Sequence, residues 1–223
     1  MSEFTNPNVS PWGYIFDSAT LPDLITAVEF ASFTNGRFGT TDTRIGANIK
    51  SASEAIRNYC GWHISPSLTC GVAYNVHSLR DSFTGSALLI QLPATFVTSV
   101  EKVVLNAVWD SDAEEYTGTV MDVNSYDLDS ANGLLKVYGV GSLSERSKLF
   151  VKYVAGFASP EAIKELTAYR VTHALTNPYG VTSEAAGGVS VSYNSAWSGR
   201  ASSSALPSEE RETLNAYKVK GVF

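Results

Sequence analysis

Helical apolar periodicity occurs on both sides of a long segment that alternates like strands, and this order restricts the chain to an α+β fold with the β part inserted between helices. Ile45, Ile49, Ala52, Ile56 and Tyr59 are spaced 4, 3, 4, 3, which puts them on one face of a helix from Thr43 to Tyr59. Arg44, Lys50, Glu54 and Arg57 fall mostly on the other face, and Gly61 suits the left-handed residue at a helix end. From Leu68 to Phe157 the period changes. Val72, Tyr74 and Val76 alternate, Ala87 to Leu92 is a short apolar run, and Val97 to Val108 reads as a long strand. Ser125 to Leu128, Leu134 to Tyr138 and Lys148 to Ala155 complete a compact antiparallel β unit, with Asn132-Gly133 as a two-residue hairpin signal.

Helices return on either side. Thr20-Leu21-Pro22-Asp23 opens a short one with Leu24, Ile25 and Val28 as its stripe and Asn35-Gly36 as its stop. Ser159-Pro160-Glu161 caps another, whose Ala162, Leu166, Tyr169 and His173 share a face and which Asn177-Pro178 ends. Residues 183–205 are dominated by Ser, Ala and Gly, a composition with little apolar area to offset backbone entropy. Val189, Val191 and Tyr193 nevertheless alternate with serines there, and Trp197 follows, so the segment reads either as an arm built to order against a partner or as a plain linker. Leu206-Pro207-Ser208-Glu209-Glu210-Arg211 opens a last helix with acids first and Lys218 late, matching the helix dipole. The expected plan is a small α-helical bundle with an inserted antiparallel β unit, then a flexible arm and a C-terminal helix. In numbers, this gives an N-terminal extension at 1–40, a core at 41–180 holding the β unit at about 68–157, an arm at 181–205 and a helix and tail at 206–223.

Charge narrows the function. Sixteen Lys plus Arg against 22 Asp plus Glu give a net charge of −6, which argues against a broad basic nucleic-acid surface. No run is apolar for the length a bilayer requires, and the first 36 residues carry no Lys or Arg, so neither a membrane span nor a basic leader is expected. Two cysteines, Cys60 and Cys70, are too few for a disulfide scaffold and suit a reducing compartment.

The chemistry-bearing patterns each fall short. Gly139-Val140-Gly141-Ser142-Leu143-Ser144 lacks the third glycine and the following helix of a dinucleotide loop, so it reads as a turn. Cys60, His63, Cys70 and His77 match no zinc spacing, and no metal is expected. Asp110-Ser111-Asp112-Ala113-Glu114-Glu115 lacks the glycine at the sixth position of a calcium loop and reads as a solvated acidic face. No nucleophile elbow or Cys–His pair is present, His173 reads as a core residue, and Glu161 and Glu165 read as solvated. No catalytic residues and no cofactor are assigned, and the chain is not expected to be an enzyme.

Several strings, in order, resemble the tailed-phage head–tail connector (adaptor) family. Ile49-Lys50-Ser51-Ala52-Ser53-Glu54-Ala55-Ile56-Arg57-Asn58-Tyr59-Cys60-Gly61-Trp62-His63-Ile64 is similar to that family's second-helix signature. Pro93 with Val97-Thr98-Ser99-Val100, Tyr126 through Gly133-Leu134-Leu135, and Val151-Lys152-Tyr153-Val154-Ala155-Gly156-Phe157 followed by Pro160 and Ile163 resemble its strands and third helix. Leu206 through Arg211 with Leu214 and Tyr217 resembles its C-terminal helix. The similarity runs from Thr43 to Phe223, and the first 40 residues and the acidic stretch 110–115 exceed the family pattern.

The resemblance implies a non-enzymatic virion protein of the neck, assembled in the host cytoplasm. Its copies form a ring below the portal protein, a dodecamer, that continues the DNA channel and docks the stopper or tail-completion protein. Genomic DNA passes without specific binding, and no membrane is involved. Leu206, Glu209, Glu210, Arg211, Leu214, Tyr217, Lys218, Val222 and Phe223 are the expected portal contacts, and Val189, Val191, Tyr193 and Trp197 the expected inter-subunit arm. Two alternatives stand beside it: another neck protein, either a stopper or a tail-completion protein, and a β-rich ligand-binding module using Trp62, Trp109 and Trp197 as stacking platforms.

Overall fold

A computed structural model describes residues 21–40, 42–75, 87–113, 115–140, 147–177 and 206–219, together with the backbone of short strands at 9–10, 13–15, 83–84, 183–186 and 189–192. The fold is α+β, and the two periodicities separate into two units. One comprises Met1–Leu21, Gly61–Ala158 and Val219–Phe223; the other comprises Pro22–Cys60 and Ser159–Lys218. The chain from Pro22 and the C-terminal helix therefore belong with the central helices. Among the described residues no helix is long and apolar enough to cross a membrane.

Among the described residues the β unit holds ten strands in two antiparallel sheets. They are β1 (Val9–Ser10), β2 (Gly13–Ile15), β3 (Leu68–Asn75), β4 (Phe83–Thr84), β5 (Ala87–Gln91), β6 (Val97–Asp110), β7 (Glu115–Val120), β8 (Tyr126–Asp129), β9 (Leu134–Tyr138) and β10 (Lys148–Ala155). One sheet has the order β1-β2-β3-β10-β6-β7 and the other β4-β5-β9-β8. β10 is flanked by β3 and β6, so Val151 lies opposite both Val72 and Val103. That central position explains why β10 is apolar on both faces, with Leu149, Phe150, Val151 and Tyr153 all buried. Val104, Ala107, Tyr116 and Phe150 form one core cluster, and the Tyr116 and Phe150 rings stack 4.5 Å apart. The β8–β9 connection is longer than the expected two-residue hairpin, because Asp129 pairs with Leu134. Gly133 alone of the Asn132-Gly133 pair takes a left-handed conformation (φ 65°), and a Cβ there would lie 1.9 Å from the Ala94 carbonyl oxygen.

The helical unit contains α1 (Ala27–Phe33), α2 (Thr43–Cys60), α3 (Glu161–Thr176), a hairpin of β11 (Ser183–Ala186) and β12 (Val189–Ser192), and α4 (Ser208–Asn215). α2 has the expected span and face: Ile45, Ile49, Ala52 and Ile56 are buried, and Tyr59 is half-buried. Arg57, expected on the polar side, is 3% exposed, and its Nη2 donates to the Pro22 carbonyl at 2.7 Å. Burial lowers its pKa to about 10, opposed by the nearby Asp23 carboxylate. α1 starts later than expected, because Thr26 rather than Thr20 caps it. The Thr26 hydroxyl accepts from Glu29 N–H at 3.2 Å, and the Glu29 carboxylate accepts from Thr26 N–H at 2.7 Å. Its core residue is Phe30, while Val28 is 72% exposed. Ile25, Phe30, Ile45, Ile49, Ala52, Ala168, Val171, Ala174 and Leu175 form the core of this unit.

α3 is rotated relative to the sequence expectation. Ile163, Thr167, Arg170, Val171 and Ala174 face inward, whereas Ala162 and Tyr169 are exposed and Leu166 and His173 half-buried. Two of the inward residues are polar, which conceals this face from any apolar count. The Thr167 hydroxyl is satisfied by the Ile163 carbonyl at 2.7 Å, and Arg170 has a charged partner on α4. Pro160 rather than Ser159 occupies the helix entry, and no side chain caps it. β11 and β12 give part of the Ser/Ala/Gly-rich segment a paired backbone, with Glu184 opposite Val191 and Ala186 opposite Val189.

Candidate interface around the C-terminal helix

α4 has only eight residues and no side-chain cap. An isolated helix of that length is not stable in water, so the surface beneath must hold it. Two of its residues and Leu206 just before it are buried there. Leu206 is 5% exposed, Glu210 3% and Leu214 0%. Arg170 Nη1 of α3 donates to Glu210 Oε2 at 2.5 Å, with both side chains almost wholly excluded from solvent. Burial raises the Glu210 pKa above the ordinary carboxylate range, and the guanidinium works against that shift. Among the described residues Glu210 Oε1 has no hydrogen-bond partner.

The far end of α4 is tied to the end of α2. Tyr59 Oη donates to Asn215 Oδ1 at 2.9 Å, the Lys218 ammonium lies 5.1 Å from the Tyr59 ring centroid, and the Cys60 thiol lies 3.8 Å from the Leu214 carbonyl. Burial pushes the Cys60 thiol up to about 12, so it packs as a small neutral group. These contacts leave Glu209, Arg211, Glu212, Thr213 and Lys218 exposed and Tyr217 half-buried, a polar outward face on a fixed helix.

The expected portal contacts thus divide. Glu209, Arg211 and Lys218 are at the surface, and Tyr217 is partly so. Leu206, Glu210 and Leu214 are turned into the unit that carries them and are not available as anchors while α4 is seated. Val222 and Phe223 lie outside the described residues, as do Tyr193 and Trp197. Val189 and Val191 are both in β12. Sequence reasoning missed Arg170, Tyr59 and Asn215 as the residues that seat α4; nothing local in the sequence pairs a helix-interior Arg with a Glu forty positions later.

A second surface lies between α1 and α3. An open groove of about 350 Å³ is lined by Glu29, Ser32, Phe33, Glu161 and Lys164. Lys164 Nζ sits 2.6 Å from Glu29 Oε1 and 3.9 Å from Glu161 Oε1. The hydrogen bond from Lys164 lowers the Glu29 pKa, and Glu29 in turn raises that of Lys164. The amine is held protonated, which is a structural rather than a nucleophilic state.

The remaining chemical patterns are absorbed by the fold. His63 is 3% exposed with Nε2 3.0 Å from the Ala155 carbonyl, and its Nδ1 is 4.0 Å from Cys70 Sγ. Cys60 belongs to the helical unit and His77 lies outside the described residues. Asp110 Oδ1 accepts from the backbone of Asp112 and Ala113, so it shapes the β6–β7 turn. Gly139 has φ 74° after β9 and Val140 is buried, while residues 141–146 lie outside the described residues. Trp62 is fully buried and Trp109 packs edge-on to Tyr116 at 5.2 Å, so neither serves as the stacking platform that a ligand-binding module needs; Trp197 lies outside the described residues.

A chain from the neck of an empty GTA particle computed with C6 symmetry is similar at 18% identity with a TM-score of 0.44, over 70% of this chain and 82% of that one. No curated protein matches the sequence. The model of the head completion protein family matches residues 23–219, which takes in α1 as well as the strings that resemble head–tail connectors. The match begins twenty residues before Thr43, so α1 is part of the family pattern rather than an addition to it. The chain belongs to the head completion protein family.

Proposed function

We propose that the protein is a head–tail adaptor. Its copies form a ring, a dodecamer, beneath the portal protein; the ring continues the DNA channel and offers the surface on which the stopper or tail-completion protein docks. The observation that carries this reading is the family match over almost the whole described chain, including the seated C-terminal helix. The polar outward face of α4, with Glu209, Arg211 and Lys218 around the half-buried Tyr217, supports its use as the portal-facing element. A net charge of −6 suits a channel through which the duplex slides without specific binding. In this reading the protein acts without catalysis or cofactor, is assembled in the host cytoplasm and ends in the virion neck.

The test mixes purified protein with isolated portal rings and images them in negative stain. Wild-type protein should add a ring of density to one end of the portal. Arg211→Glu with Glu212→Lys changes only exposed side chains outside the contacts that seat α4, so it should keep the melting temperature while losing most of the decoration. Undiminished decoration would move the portal contact elsewhere in the chain. Binding to tail-completion proteins but never to portals would make the protein a different neck component.

A further inference from the structure

We propose that, in the assembled ring, the open edge of β7 in one copy pairs with the open edge of β1 in the next, so that the six-stranded sheet continues from subunit to subunit. The inference rests on the ring reading above and names one joint that closes the ring. The first observation is the order of the sheet. β1 and β7 are its two edges and stand five strand spacings apart, about 24 Å. A chain therefore does not pair its own two edges, and the occupant of either comes from outside it. Every neighbouring pair in the sheet is antiparallel and the number of strands is even, so β1 and β7 run in opposite directions. A rotation about an axis along the strands preserves their direction. β7 of one copy then meets β1 of the next as an antiparallel pair, and the alternation is unbroken. One kind of joint, repeated head to tail around a closed ring, uses every edge and leaves none over.

The second observation is what the β7 edge carries. Open strand edges are ordinarily guarded by charge, by proline or by extreme shortness. β8, at an edge of the other sheet, is guarded by Asp127 and Asp129, both exposed. β7 has one acid, Glu115, at its start, and Thr117, Gly118, Thr119 and Val120 after it are exposed and uncharged. Val120 is 56% exposed. A register shift between Leu105 and Val108 interrupts the ladder to β6 near Gly118, but beyond it the pairing is regular. Thr119 lies opposite Leu105, Val120 lies opposite Val104, and Met121 N–H donates to the Val103 carbonyl at 2.9 Å. Main-chain groups alternate in direction along a strand, so the N–H and C=O of Val120 point away from β6 and toward the joint.

The third observation is that the two edges match in length. β1 pairs with β2 through Val9 and Ser10, and Pro7 and Pro11 bracket it in the sequence. Proline has no N–H to give a ladder, so on this side the joint is confined to Asn8, Val9 and Ser10. On the other side it is confined to Thr119, Val120 and Met121, because Asp122 caps a 3-10 turn that begins at Val123. A joint of this size holds when the portal sets copies side by side and their edges meet at high effective concentration. It fixes direction and register between neighbours and ends before it can grow into an indefinite sheet.

The outward N–H of Val120 supplies the experiment. Val120→Pro removes a donor that β6 does not use, so the full-length variant should keep its melting temperature while decoration of isolated portal rings falls about tenfold or more. Val120→Lys leaves the backbone as it is and guards the edge with a charge, and it should lose decoration in the same way, so the result does not hang on the proline alone. A chain carrying Val9→Cys and Val120→Cys, assembled on portals and treated with a short bis-maleimide, should run as a ladder of covalent multimers on a denaturing gel. The native Cys60 and Cys70 are buried, so wild-type rings should give no ladder. Normal decoration by both Val120 variants, or wild-type-like rings of the cysteine variant that give no ladder, would overturn the joint and leave the ring itself intact. Covalent products that contain portal protein in place of a second copy would overturn the choice of occupant. Absence of any ring in the wild-type control would instead overturn the adaptor reading on which the inference rests.

Discussion

α1 and α4 are both short helices laid on α2 and α3, and they are held by opposite means. α1 carries its own start signal, the reciprocal Thr26–Glu29 cap, and a fully buried Phe30, and its ion pair to Lys164 is partly open to water. α4 has no side-chain cap and depends on an ion pair at 2% and 3% exposure with a residue of another helix. The difference teaches where specificity lies. A helix fixed by local signals forms in one place regardless of its neighbours, whereas one fixed by a remote buried charge takes its position from whatever supplies that charge.

The largest effect that would sharpen this contrast is at the buried pair. Glu210→Ala removes the carboxylate that faces the buried Arg170 guanidinium and should cost about 3–5 kcal/mol, against under about 1 kcal/mol for Glu29→Ala at the half-exposed pair. Urea denaturation of the two variants checks this, and equal losses would break the comparison. Next comes the cap. Thr26→Ala should cost about 1 kcal/mol, while Ser208→Ala, exposed and not capping α4, should stay within about 0.5 kcal/mol. Thermal melts of both variants measure the difference.

The smallest effect is in the pH dependence. The Glu29 pKa is lowered, chiefly by the hydrogen bond from Lys164, so its contribution is present above the ordinary value of 4.5 and is lost as pH falls through the lower folded value. The Glu210 pKa is raised by burial, so its contribution has the opposite sign: present below 4.5 and lost as pH rises through the higher folded value. The stability difference between wild type and Glu29→Gln should therefore shrink on acidification below pH 4.5, while that for Glu210→Gln should not. Parallel curves would contradict the assignment.

The same contrast explains what could be read from the sequence. α2 was legible because Ile45, Ile49, Ala52 and Ile56 are themselves apolar at helical spacing, and β9 and β10 were legible to the residue because their buried positions are apolar too. α3 was read on the wrong face, because Thr167 and Arg170 sit inside while Tyr169 sits outside at 56% exposure. The inward polar pair is tolerated only because the Ile163 carbonyl and Glu210 satisfy it, and the second of these lies beyond any local window. The C-terminal helix is legible, but the burial of Glu210 is not, because an acid in a first turn reads as solvated unless its buried partner is known. The family, by contrast, was legible from the order of several strings, none specific alone.

The interruption of the helical unit by residues 61–158 has a consequence in time. Ribosomes add about 5–20 residues per second, so α1 and α2 emerge on the order of 5–20 s before the chain that carries Val171, Ala174 and Leu175. During that interval the stripe of Ile45 and Ile49 lacks the packing surface of α3, while β3 to β10 complete two sheets whose remaining strands, β1 and β2, are already made. The β unit can close as soon as β10 leaves the ribosome; the helical unit cannot until α3 follows, and α4 arrives last. Synthesis order thus delivers α4 only after the surface of α2 and α3 on which it is seated has been made.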